Sequence, residues 1–246
     1  MSLIAAGGSF RDTMPVARIE PPALADRDVH VWFAHFGPGD PAATEFDALL
    51  DAGERSRADR FVFAHHRERF VRAHGVLRRV LAAYTGQHPA ELSFIAGHYG
   101  KPALAGSRGV AFSLSHSGDG VAIAVTVGHE IGVDIEIPRV MSDRDDLVRR
   151  YFSASEIAAY DSIESARRDE AFFRLWTRKE AFVKGIGLGL SRPLDSFTVG
   201  LGIPVRLDAP GDVAWSLHHL DPGESFVGAV ACSHPSPVLL GWRMSF

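Results

Sequence analysis

Cysteine is almost absent from this 246-residue chain: Cys232 is the only one. No intrachain disulfide can form, and a thiol-rich metal site is excluded. Long apolar runs are missing too, since no stretch approaches the roughly 20 residues that a membrane span requires. Nor is there a positive excess. The 26 Lys and Arg stand against 30 Asp and Glu, a net charge of −4 that argues against broad nucleic-acid binding. A local basic cluster stays compatible with a small polyanion. Residues 1–12 lack a basic region followed by an adequate apolar segment, so the cytoplasm is the expected location, without membrane contact. What remains is ordinary for a globular protein, with 46% hydrophobic and 23% charged residues. The length suits one large domain or two smaller, tightly joined ones.

Residues 1–25 mix Gly, Pro, Ala and charge without a period and read as a loose lead-in. Val29-His-Val-Trp-Phe33 alternates as a strand. Residues 42–60 suit a helix, and residues 64–84 a better one. The latter carries Arg67, Arg69, Arg72, Arg78 and Arg79, which read either as a solvated face or as the element that meets an anion. Leu92-Ser-Phe-Ile95 leads into the turn-rich residues 97–102. Residues 110–117 alternate, with Phe112, Leu114 and His116 on one face and serines on the other. Residues 121–127 form an apolar strand with residues 131–137 as its expected hairpin partner. Helices are expected over 143–160 and 166–185, then strands over 213–220, 226–232 and 238–244. Arg69-Phe-Val-Arg-Ala-His-Gly75 and Arg178-Lys-Glu-Ala-Phe-Val-Lys-Gly185 echo each other. The echo suggests an α+β fold of two similar halves, 26–130 and 131–246, with a ligand cleft between them.

The candidate chemistry is carried by few residues. On the helix at 172–184, Phe172, Trp176, Glu180 and Lys184 recur every fourth position and share a stripe. An exposed Glu→Lys pair at that spacing is worth only about 0.2–0.5 kcal/mol, and a plain amphipathic surface explains it. Asp134 and Glu136, two apart on a strand, share a face about 6–7 Å apart. Such a pair is either solvated, satisfied by Arg139 or Arg144, or wrapped around a cation. An oxygen-only donor set favours Mg²⁺ or Mn²⁺ over zinc. His116 alone reads as structural or catalytic. Gly185-Ile-Gly-Leu-Gly-Leu-Ser191 follows a helix and reads as its C-cap and exit turn rather than a phosphate loop. No nucleophile elbow of a serine hydrolase is present.

In combination these pieces are more specific. Gly132-Val-Asp-Ile-Glu136, Phe152-Ser-x-x-Glu156, Trp176-Thr-Arg-Lys-Glu-Ala-Phe-Val-Lys184 and Gly187-Leu-Gly-Leu-Ser191 follow one another. Upstream stand Gly100-Lys-Pro102 and Phe112-Ser-Leu-Ser-His-Ser117. The series resembles the 4′-phosphopantetheinyl transferases of the surfactin type, over about residues 57–197.

That resemblance implies transfer of the phosphopantetheine arm of coenzyme A to a serine of an apo acyl or peptidyl carrier protein. The reaction would depend on Mg²⁺ (or Mn²⁺) and release 3′,5′-ADP. It implies a pseudo-two-fold α+β fold of two halves, each a small, mostly antiparallel sheet packed with a long helix, with coenzyme A between them. Asp134, Glu136 and Glu180 would hold the metal, with Glu180 as base and Lys184 facing the phosphates. Arg57, Arg69, Lys101, Ser115 and His116 would contact coenzyme A, and Lys179 would serve as a structural pair. Arg149, Arg150, Arg167 and Arg168 would meet an acidic carrier, and a monomer is expected. Glu54 stands where some relatives have extra lysines, which bears on the 3′-phosphate contact. A Mg²⁺-dependent hydrolase of a nucleotide or phosphoester, using the same carboxylates, is the alternative reading.

Overall fold

The computed structural model describes residues 10, 12–97, 99–107, 109–211, 214–223 and 225–246. The leader reading over residues 1–9 and 11, His98 of the turn 97–102, and Val213 at the start of an expected strand lie outside the described residues.

Strand pairing begins earlier than the side-chain pattern suggests. Within the stretch expected as a loose lead-in, Asp12–Pro15 form β1, tied in parallel to the last strand of the chain. Strand β2 spans Asp28–His35. The single helix expected over 42–60 is two, α1 (Thr44–Asp47) and α2 (Ala52–Ala58). Asp51 makes the break, because it caps α2 in a reciprocal box with Glu54. Helix α3 runs Ala64–Thr85 and ends on Gly86 in the left-handed region, at φ 69°. A small hairpin follows, β3 (Phe94–Ala96) and β4 (Pro102–Leu104), then β5 (Val110–Ser117), β6 (Gly120–Val127) and β7 (Ile131–Glu136).

The helix expected over 143–160 is also divided, into α4 (Arg144–Tyr151) and α5 (Ala154–Asp161), because Ser153 and Glu156 form a second capping box. Helix α6, Arg168–Ile186, is continuous. The short pair β8 (Thr198–Val199) and β9 (Leu207–Asp208) precedes β10 (Ser216–Gly223), β11 (Phe226–Cys232) and β12 (Val238–Ser245).

The class is α+β, built in layers. Five strands pair in the order β1-β12-β2-β6-β5 and three in the order β10-β11-β7. β12 therefore returns from the end of the chain into the first sheet. Its pairings with β1 and β2 are parallel, while those of β6 with β2 and β5 are antiparallel. Strand alternation sorts the apolar side chains. Trp32, Ile123 and Val125 pack with α3 residues such as Phe70, Val76 and Leu77. Val31, Phe33 and Ala124 turn the other way, onto Ile131, Val133, Ile135 and Val230 of the smaller sheet. The outer face of that sheet carries Ala229 and Ala231 against Phe173, Phe182 and Val183 of α6. The order of layers is thus α3, larger sheet, smaller sheet, α6.

One expected pairing is corrected. Residues 131–137 are not the hairpin partner of 121–127, because both edges of β6 are already taken by β2 and β5. After Gly128, in the left-handed region at φ 73°, the chain crosses to the other sheet. There β7 pairs antiparallel with β11.

Since Ile131, Val133 and Ile135 face the larger sheet, Gly132, Asp134 and Glu136 face α6. Helix and strand touch backbone to backbone. A Cβ on Gly132 would lie 2.8 Å from Gly185 Cα, and closer still to the Ala181 carbonyl and the Gly185 amide. Gly132→Ala is therefore expected to cost at least about 3 kcal/mol by pushing α6 off β7. Urea unfolding of the variant reads this directly, and a loss below about 1 kcal/mol would contradict so close a contact.

Candidate active site

Layering brings the expected stripe of α6 over the paired carboxylates of β7. Asp134, Glu136, Glu180 and Lys184 line one cleft of about 800 Å³, with Trp176 and Tyr151 in its walls. Asp134 is buried at 5% exposure. Its Oδ1 accepts from Lys184 Nζ at 2.6 Å and from Ser115 Oγ at 2.8 Å, whereas its Oδ2 is buried without a partner. Glu136 Oε2 accepts from Ser117 Oγ at 2.6 Å and lies 3.7 Å from Arg139. Burial and like charge act together here. Burial pushes the Asp134 carboxyl up, against the pull of Lys184 and Ser115. Burial and then the neighbouring Asp134 charge raise Glu136 and Glu180.

Among the described residues, no group of three or more His, Cys, Asp and Glu side chains stands ready to hold a metal ion. The three carboxylates share a cleft rather than a formed chelate. Their chemistry fits a hard cation all the same: an all-oxygen donor set, mutual repulsion, and a buried oxygen of Asp134 with no donor.

A second cavity of about 580 Å³ adjoins the first, and Leu114, His116 and Lys184 line both. Arg57, Lys101, His74 and Phe70 also line it. His116 is exposed and lines both cavities. Its pKa lies below the ordinary value because the cleft walls desolvate it and because Lys184, His74, Arg57 and Arg69 surround it with positive charge. Lys101 Nζ reaches Glu130 at 2.5 Å and the Gly185 carbonyl at 2.6 Å, bridging to the end of α6.

Two expected coenzyme contacts are otherwise engaged. Arg69 grips Asp119 through both Nε and Nη2 at 3.1 Å and lines neither cavity. Ser115 is buried and spends its hydroxyl on Asp134. Glu54, the departure noted in the sequence, is spent internally. It accepts from buried Arg78 at 2.6 Å and pairs with His74 at 2.7 Å. Burial pushes its carboxyl up, but the bonds from His74 and the Asp51 backbone and the Arg78 charge outweigh that and hold it below the usual range.

Other motif residues are structural. Lys179 is fully buried, 2.8 Å from Glu156, and donates to the Leu194 and Phe197 carbonyls at 2.6 and 2.9 Å. Glu156 also accepts from the amides of Ser153 (2.8 Å) and Val199 (2.6 Å). The Phe152-Ser-x-x-Glu156 motif thus locks α5, α6 and β8 together. Phe172 is core at 2% exposure, and the half-buried Trp176 stacks on it at 5.8 Å and forms cleft wall. Gly187 caps α6 in the left-handed region at φ 70°, as an exit turn requires. Of the arginines expected to meet a carrier, Arg149 pairs with Asp161 at 2.8 Å and Arg150 lies over Tyr151, itself in the cleft wall.

His74 escaped notice in the sequence. Its signal is the stripe Phe70, His74, Arg78 on α3, at the same four-residue spacing as on α6.

With this geometry in hand, comparison with known proteins is direct. A family model described as the 4′-phosphopantetheinyl transferase superfamily matches residues 130–231. The 4′-phosphopantetheinyl transferase HetI of Nostoc sp. is 35% identical over 230 residues, covering 91% of this chain and 93% of that protein. A 4′-phosphopantetheinyl transferase of Bacillus subtilis is 32% identical over 191 residues, covering 76% and 84%. The transferase Sfp of Bacillus subtilis strain 168 is 29% identical over 201 residues, covering 77% and 85%. This chain belongs to the 4′-phosphopantetheinyl transferase superfamily.

The structural reading of Lys179 has a clear consequence. Lys179→Met strands the buried Glu156 charge and is expected to cost about 3–5 kcal/mol in urea unfolding. A variant as stable as the parent would remove that role.

Proposed function

We propose that this protein transfers the 4′-phosphopantetheine arm of coenzyme A to a serine hydroxyl of an apo acyl or peptidyl carrier protein. The observation that carries the proposal is the meeting of Asp134, Glu136, Glu180 and Lys184 in one cleft, with Lys184 shared by the adjoining cavity. Coenzyme A would occupy the cavity lined by Arg57, Lys101 and His116, its diphosphate reaching Lys184. Arg69 and Ser115 would act from behind that lining, through Asp119 and Asp134. The carrier serine would enter from the acidic cleft, beside Tyr151 and the basic end of α4. In this reading the cleft separates two α+β halves, 26–130 and 131–246, of a cytoplasmic monomer, with β12 crossing from the second into the sheet of the first.

Asp134, Glu136 and Glu180 would hold Mg²⁺, or Mn²⁺ in its place. When bound, the ion supplies positive charge against the diphosphate. Glu180 accepts the proton of the carrier serine, directly or through a water that it holds. The serine oxygen then bonds to the phosphorus bearing the pantetheine arm, and the bond to the departing 3′,5′-ADP breaks. Lys184 stabilises the negative charge left on that product. His116 and Lys101 hold the remaining phosphates in place.

Two measurements test this. Mass spectrometry of a panel of apo carrier proteins, each incubated with coenzyme A and Mg²⁺, is expected to find the arm added to at least one. Phosphoester hydrolysis without any carrier, and no modified carrier in the panel, would favour the hydrolase reading instead.

Glu180→Gln is expected to lower transfer at least about 100-fold. In metal-free buffer the same substitution should raise the unfolding midpoint. A carboxyl whose folded pKa is raised favours folding below its ordinary value of 4.5, and that contribution is lost as pH rises through the raised value. At neutral pH the charge is therefore a burden that glutamine removes. An active variant would eliminate Glu180 as the base, and a destabilised one would contradict the electrostatic account.

A further inference from the structure

β5 and β7 are edge strands of different sheets that lie side by side without a backbone ladder. Serine hydroxyls bridge them instead. Ser113 Oγ accepts from the Val133 amide at 3.1 Å, Ser115 Oγ from Ile135 at 3.3 Å and Ser117 Oγ from Ile137 at 3.3 Å. A hydroxyl that accepts still has one proton to give. Ser115 gives it to Asp134 Oδ1 at 2.8 Å and Ser117 to Glu136 Oε2 at 2.6 Å. By the same register the counterpart of Ser113 is Gly132, which has no side chain to receive it.

We propose that Ser117 and Ser115 are positioning residues for Glu136 and Asp134, whereas Ser113 only joins the sheets. A hydroxyl anchored on the neighbouring backbone amide holds one oxygen of each carboxylate and leaves the other without a serine donor. The alternative for Glu136 is on view. Arg139 stands 3.7 Å from the same oxygen and is 59% exposed, so a Glu136 released by Ser117 has an outward partner at hand. The inference rests on the transferase reading only through the ion-holding roles given to these carboxylates.

The sequence supplies its own control, since Ser113 and Ser117 make the same bond to a backbone amide and differ in the carboxylate. The test compares the full chain with Ser113→Ala, Ser117→Ala and Ser117→Thr. Mn²⁺ is titrated by the loss of its free electron-paramagnetic signal, and unfolding is followed by circular dichroism. Both alanine variants should lose stability, Ser117→Ala the more because it also gives up the bond to Glu136. Ser117→Ala should bind Mn²⁺ about tenfold more weakly, the scale typical of residues that orient metal ligands. Ser113→Ala should stay within about twofold of the parent, and Ser117→Thr should recover to about the same range because its hydroxyl remains. If Ser117→Ala does not fold, Ser117→Cys, similar in size with a weak donor, is read in its place with the same expectation.

Equal affinities for the Ser113 and Ser117 variants would overturn the proposal, as would a threonine variant as weak as the alanine one. A parent that binds Mn²⁺ but modifies no carrier would sink the transferase reading alone, and the titration would still decide the positioning role. A parent that binds no Mn²⁺ would overturn this inference together with the ion assignment.

Discussion

Helix α6 lies on β7 with no side chain between the two backbones at Gly132 and Gly185, and this contact sets where Glu180 and Lys184 stand over Asp134 and Glu136. A side chain at Gly132 would push the helix off the strand. The Trp215 ring fills the space in front of Gly185, so a side chain there would strike it. The small sheet and the helix behave as one part. Strand alternation then does the rest, directing one face of β7 into the core and the other, with both carboxylates, beneath the helix.

The site built this way is electrostatically expensive. Three carboxyls are held above their ordinary pKa values, chiefly by burial, and Lys184 is the cation in direct contact with Asp134. The surrounding structure supplies compensating order. Lys179 and Glu156 satisfy each other and three neighbouring segments inside the smaller half of the layers. Arg78 does the same below α3, reaching Asp51, Glu54 and two carbonyls. Buried pairs of this kind hold geometry more than they add stability. They fix α3 and α6, the two helices that wall the cavities, while the carboxylate cluster between them stays under strain.

Much of this arrangement was legible in the sequence, and the parts that were not share a cause. The stripe on α6, the shared face of Asp134 and Glu136 and the exit turn after Gly187 follow from local periodicity, and each is observed. Capping was also local, yet its competition with helix continuation was missed. Asp51 and Ser153 each break an expected helix by binding backbone amides that the helix would otherwise leave free. Long-range pairing left no trace in the pattern. Nothing in Asp12–Pro15 or Val238–Ser245 announces that they meet, and an apolar strand such as β6 does not say which neighbour it takes. The engagement of Arg69 with Asp119, and of Ser115 with Asp134, likewise depends on three-dimensional proximity. Composition identifies a cation or a hydroxyl but not what it is already bound to.

The most direct test of the account is a crystal structure of the chain with coenzyme A and Mn²⁺, with the ion located by its anomalous scattering. The expected result is one manganese peak within coordination reach of Asp134, Glu136 and Glu180, with the coenzyme diphosphate between that ion and Lys184. A manganese peak remote from these carboxylates, or coenzyme A bound outside the cavity lined by Arg57, Lys101 and His116, would contradict it.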